Sequence, residues 1–233
     1  MILYNTLMGI CAGLSLILVP KLLHKLYRGE KVAAEGWAMT FGVLGSILAI
    51  LSTIMATTWP LTVNPPINII FSEPNIVLGF LLLMSSFLLW KNRDGINTLG
   101  EKGSGRAAAE LRLTRTLAPV SWLVFGLGLM LAACTAAILR FGFVGGAPAA
   151  EPISGLLSTM PWIENTFFAV LYGCGALGAL LAPLALRRRG GYWTIMRNVW
   201  IIAGICFLLF SAMNYYTHIG LLFNTQHGTH YRF

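Results

Sequence analysis

The chain has 233 residues, 57% of them hydrophobic and only 10% charged, against about 25% charged in an ordinary soluble domain. That deficit, with a mean hydropathy of +0.74, excludes a soluble globular protein and leaves a polytopic membrane protein read as one domain over 1–233. The net charge of +8 does not point to nucleic acid, because the basic residues sit in short loops between apolar spans and no nucleic-acid motif accompanies them.

Six spans are predicted, at about 2–23, 37–58, 74–90, 117–139, 165–186 and 199–223, each near the roughly 20 apolar residues that cross a bilayer. The fold class is therefore all-α, a six-helix transmembrane bundle. Met1-Ile-Leu-Tyr-Asn5 has no basic n-region and no small-residue cleavage site, so the first span is expected to be retained. Gly9 and Gly13, Gly42 and Ser46, and Gly173, Gly175 and Gly178 are read as close-approach positions between helices. Cys11, Cys134, Cys174 and Cys206 all fall inside spans and form no CxxC pair, so they serve as small hydrophobes rather than a disulfide framework.

Charge sets the expected orientation. Lys21, Lys25, Arg28 and Lys31 follow the first span, Lys91 to Arg115 supply six basic residues after the third, and Arg187, Arg188, Arg189 and Arg197 follow the fifth. The opposite side has only Arg140 and Arg232. By the positive-inside rule these three loops are cytoplasmic and both termini lie outside, in a prokaryotic inner membrane. The loop from Asn92 to Arg115 begins glycine-rich and turns helical near Arg106, with Ser104 as its expected cap.

The outer loops are apolar for their position. In the first, Ser72-Glu73-Pro74 is expected to start the third helix, with a capping hydroxyl, an acid at the positive dipole end and a first-turn proline. Glu73 and Asn75 there parallel Glu164 and Asn165 at the start of the fifth span, which suggests two related hairpins.

In the last span Ser211, Asn214 and His218 recur on one helical face. Polar groups in hydrocarbon cost several kcal/mol unless paired, so the stripe is expected to face the bundle interior. Glu73, Asn75, Glu164, Asn165, Ser211, Asn214 and His218 all map to the outer third of the membrane. Together they would make a polar vestibule for a small solute or a cation. His227 and His230 form a His-x-x-His pair in the tail and, with His218, offer imidazoles that suit copper or zinc. A bis-histidine haem is disfavoured because His24 and His218 lie most of a bilayer apart. Metalloprotease, P-loop, dinucleotide and Gly-x-Ser-x-Gly fingerprints are missing from the sequence, so an enzyme acting on its own is not expected.

In topology, with six spans, outer termini and basic cytoplasmic loops, the chain resembles the small prokaryotic urea/amide channels. Asn75-Ile-Val-Leu-Gly79-Phe80, an outer loop feeding a helix with an early Gly-Phe, is the local echo. The plan is similar also to uncharacterised six-span integral membrane proteins of bacteria and archaea. The channel resemblance implies a homo-oligomer with an aromatic-lined pore through each protomer, but no constriction residue matches one by one. The leading expectation is conduction of a small polar solute through the outer vestibule. The alternative is an accessory subunit of a larger, redox-type membrane complex with a metal site on its outer face.

Overall fold

A computed structural model describes residues 3–97, 105–188 and 190–231, with the side chains of the fourth long helix described from Leu111 onward. The described residues are helical with no strand: α1 (Leu3–Arg28), α2 (Ala34–Thr58), α3 (Pro66–Lys91), a short α4 (Arg93–Asn97), α5 (Gly105–Phe141), a single 3₁₀ turn (Ser154–Leu157), α6 (Pro161–Arg187) and α7 (Gly191–His227). Six of these helices are long and apolar enough to cross a membrane, and the chain is a multi-pass membrane protein.

All six spans extend beyond their predicted bounds. The largest correction is α3, which begins at Pro66 rather than Pro74. Ser72 is not a cap but a buried interior residue whose hydroxyl donates to the Asn68 carbonyl at 2.5 Å. Pro74 is likewise interior. Proline has no N–H for the carbonyl four residues earlier, which is that of Ile70. The Tyr172 hydroxyl of α6 takes over that carbonyl at 2.7 Å, so α3 tolerates its proline through a bond from another helix. The Ser104 cap lies outside the described residues. α4 has a structural use: Asn97 accepts from the Ala34 N–H at 2.9 Å and donates to Glu35, capping α2 from across the loop.

The helices pack in the order α3, α2, α1, α7, α6, α5, each on the next. α3 and α5, the two ends of this series, meet only sparsely. The tightest pairs are α2–α3, α5–α6 and α1–α7, and each is seated on glycine. A Cβ at Gly45 would fall 2.8 Å from the Gly79 carbonyl oxygen, one at Gly128 2.8 Å from the Leu180 nitrogen, and one at Gly13 2.8 Å from the Gly204 carbonyl oxygen. Backbone-to-backbone approach of this kind supplies the van der Waals contact that drives association where lipid removes the hydrophobic drive.

Gly79→Leu would place side-chain atoms against the Ala49 backbone, 2.6 Å from its Cβ position. It should lower the stability in mild detergent by about 1–3 kcal/mol or more. Gly126→Leu, with nothing within 4 Å of its Cβ, should leave the unfolding curve nearly unchanged.

Candidate functional site: an interior cavity beneath a fastened loop

A cavity of about 530 Å³ lies where α3 and α5 fail to close on each other, bounded also by α1, α6 and α7. Along α1 its wall runs from Asn5 to Tyr27, about 33 Å at 1.5 Å per residue, which matches the roughly 30 Å hydrocarbon core of a bilayer. One end of the cavity is where α1 begins and α7 finishes, here the terminal end. The other is at the basic end, beside Asn92 and Arg112, whose side chains bond to each other at 2.9 Å.

Between the two ends the wall is mainly Leu, Val, Ala and Phe. Ser15 donates to the Cys11 carbonyl, Ser85 to that of Leu81 and Ser121 to that of Ala118, each within its own helix, and Tyr172 donates to the Ile70 carbonyl of α3. At the terminal end the character changes. Asn5, Asn75, Ser211 and Asn214 line the cavity from three helices. Asn75 donates to the Phe71 carbonyl at 2.8 Å and leaves its amide oxygen open. Asn5 accepts from the Thr6 N–H. The Asn214 amide makes no hydrogen bond among the described residues. Ser211 is buried against Gly9. Beside these residues Phe71, one turn nearer the terminal end than Asn75 on α3, and Phe168, Tyr172, Phe207 and Phe210 form an aromatic wall, with Phe168 edge-on to Phe210 at 5.0 Å and Tyr172 edge-on to Phe207 at 6.1 Å.

Behind the amide layer stands a buried hydrogen-bonded series. His218 Nδ1 lies 3.0 Å from Thr6 Oγ1, and its Nε2 lies 3.2 Å from Glu151 Oε1. With Nε2 protonated and donating to the carboxylate, Nδ1 accepts from the Thr6 hydroxyl. Thr6 is 1% exposed and Glu151 only 6%. Burial pushes the Glu151 carboxyl above the usual glutamate range and the nearby Glu164 adds to the rise, while hydrogen bonds from Ser154 and Thr217 oppose it. The turn that aims Glu151 inward is strained. Ile153, a β-branched residue, has φ 58°, a conformation that costs about 1–3 kcal/mol and persists where the surroundings over-determine it.

The loop between α5 and α6 is thus tied to α7 at the terminal end through Glu151 and His218, and several further bonds fasten it. Asn165 accepts from the Val144 and Gly145 N–H groups, both at 2.9 Å, and donates to the Gly142 and Pro161 carbonyls. Glu164 accepts from the Gly146 N–H at 2.9 Å. Asn224 of α7 donates to the Ala150 carbonyl at 3.0 Å, and Asn64 of the α2–α3 loop donates to the Phe143 carbonyl.

The structure therefore distributes the expected vestibule over separate roles. Asn75, Ser211 and Asn214 line the cavity, His218 sits one layer behind them, and Glu164 and Asn165 secure the loop. Glu73 is exposed on α3, does not line the cavity, and bonds to nothing among the described residues. The counterpart of Asn165 is Asn68 rather than Asn75: Asn68 is fully buried and bonds the Leu61 N–H and carbonyl at the equivalent loop. The three histidines do not converge. His227 is nine residues beyond His218 on α7, about 13 Å along the axis and half a turn round. It bonds the Phe223 carbonyl and stacks on that ring at 4.2 Å, while His230 is exposed in the tail. No group of three His, Cys, Asp or Glu suited to a metal occurs among the described residues. Sequence reasoning missed Thr6, Asn5 and Glu151. A lone acid in an otherwise apolar stretch, Pro148-Ala-Ala-Glu151-Pro-Ile153, was the available signal for Glu151.

Fold and cavity define a six-helix polytopic bundle with a membrane-long interior space. The chain belongs to the family described as Protein of unknown function (DUF981), whose model matches residues 1–220. No curated protein and no solved structure matches it.

A carboxyl raised in the closed loop takes up a proton on closure. Its contribution is full below the ordinary glutamate value of 4.5 and is lost as the pH rises through the raised value. Hydrogen-exchange protection of residues 150–157, corrected for intrinsic rates, should therefore fall as the pH rises through that window. In Glu151→Gln the dependence should flatten.

Proposed function

We propose that this protein binds a membrane amphiphile, a molecule with a polar head and a long apolar tail, in the cavity between α3 and α5. The observation that carries this assignment is the cavity's profile: bilayer-long, apolar along its middle, and polar towards its two ends. A volume of about 530 Å³ falls in the usual small-molecule range of about 300–1,000 Å³. Left empty, an apolar void of that size would cost on the order of 10 kcal/mol, comparable with the whole net stability of a domain, about 5–15 kcal/mol. In a bilayer the sparse α3–α5 contact gives a hydrocarbon chain a lateral way in.

Conduction of a small polar solute, the expectation from the terminal-end polar residues and from the topology shared with urea/amide channels, draws less support. A hydrated solute needs exchangeable donors and acceptors along its path, and the hydroxyls of Ser15, Ser85 and Ser121 are already bound to helix carbonyls. A role as a subunit of a larger membrane complex is compatible with amphiphile binding and is favoured by the exposed Glu73 on the α3 surface, since a charged group there gains from a polar partner. In either setting the basic end faces the cytoplasm and the terminal end the outside of a cell inner membrane.

Purification of the full chain in mild detergent, followed by solvent extraction and mass spectrometry, should recover an amphiphile at close to one per protomer. Leu127→Trp, which fills the α5 side of the cavity, should reduce that to well below stoichiometric while the helical content is kept. A wild-type protein that carries nothing above the detergent background would contradict the assignment.

A further inference from the structure

We infer that the amphiphile is an isoprenoid quinone or quinol, held with its ring at the terminal end of the cavity and its prenyl tail along the α3–α5 wall. The inference rests on the proposed amphiphile binding and names the class of ligand.

The head must be neutral. Among the described residues that line the cavity, the one charged side chain is Arg112, at the basic end. The terminal end offers amides and a hydroxyl instead. A phosphate-bearing head would give up its hydration there for no cationic partner, whereas ring carbonyl or hydroxyl oxygens need one or two hydrogen bonds each. Asn214 supplies an amide with no other partner among the described residues, and Asn75 an amide oxygen that accepts from a quinol hydroxyl. The head is also expected to be planar and aromatic. Phe71, Phe168, Tyr172, Phe207 and Phe210 adjoin the amide layer, and rings of this kind favour stacked or edge-on aromatic partners. A sugar or polyol head would leave most of its hydroxyls unpaired against that wall.

A second observation bears on the same site. Thr6 lines the cavity and begins the buried series Thr6–His218–Glu151, which ends in the α5–α6 loop. A hydroxyl, an imidazole and a carboxylate at 3.0 and 3.2 Å form a hydrogen-bonded route between the ring position and the terminal-end loop. Such a route suits a ligand whose oxygens are protonated in one form and bare in the other. It has no evident use for a triglyceride or a sterol.

The test is a titration of the purified full chain with decylubiquinone, read by quenching of intrinsic tryptophan fluorescence; Trp200 lines the cavity. Saturable quenching is expected. Asn214→Leu and Asn75→Leu should each weaken binding by about tenfold, and Glu73→Gln, exposed and outside the cavity lining, should not change it. Both asparagine variants are checked for an intact thermal transition, and either one that folds suffices. A parallel titration uses pyrene-labelled phosphatidylglycerol. Quinone binding that is missing or indifferent to Asn214 and Asn75, alongside phosphatidylglycerol binding that depends on Arg112, would overturn the quinone assignment and leave amphiphile binding standing. Binding of neither probe would overturn both.

Discussion

Backbone-to-backbone contact at glycine is the constraint on which the rest of this bundle depends. Gly13 with Gly204, Gly45 with Gly79, and Gly128 with the α6 backbone lock three helix pairs at the closest approach helices allow. Lipid is as apolar as leucine, so such close contact is a main source of association energy inside the membrane. Its consequence is uneven packing. The locked pairs meet one another less extensively, and α3 and α5 scarcely meet at all. The cavity is the complement of the tight pairs rather than a feature added to them.

The terminal end shows how a polar loop is kept over an apolar interior. The loop amides of Val144, Gly145, Gly146 and Leu61 are taken by side chains rooted in helices: Asn165 and Glu164 for the α5–α6 loop, Asn68 for the α2–α3 loop. This repeated use of asparagine satisfies both a donor and an acceptor from one side chain. The Thr6–His218–Glu151 series differs in kind. It joins the loop to the cavity wall through titratable groups, and it is held although Ile153 must adopt a left-handed backbone. Strain retained beside a buried acid and imidazole marks the part of the structure least explained by packing alone.

Much of the fold was legible because the membrane simplifies the code. Span number, the α2–α3 and α5–α6 hairpins, and the packing use of Gly9, Gly13, Gly42 and Gly178 follow from hydropathy and small-residue spacing, and the structure places each of these glycines against a neighbouring helix. Boundaries were less legible. Ser72-Glu73-Pro74 carries every local sign of a helix start, yet the helix runs through it, because Tyr172 satisfies the carbonyl that Pro74 abandons. That bond links residues 102 apart in sequence and leaves no local trace. The site was half legible for the same reason. The polar face of α7 reads from its own spacing, and Ser211 and Asn214 do line the cavity. Asn75 reads from the outer-loop sequence, but Asn5 and the acid that meets His218 lie on two other segments. Glu73 and Glu164 looked alike in sequence but face different surroundings, and only Glu164 finds loop amides to accept.

The central claim is that the space between α3 and α5 holds a bound amphiphile with its head at the asparagine layer. The most direct measurement is an electron cryomicroscopy structure of the full chain in a native-lipid nanodisc. Continuous elongated density in the cavity, broadening beside Asn5, Asn75 and Asn214, is the predicted result. A collapsed α3–α5 interface, or a cavity filled only by discrete waters from end to end, would contradict it.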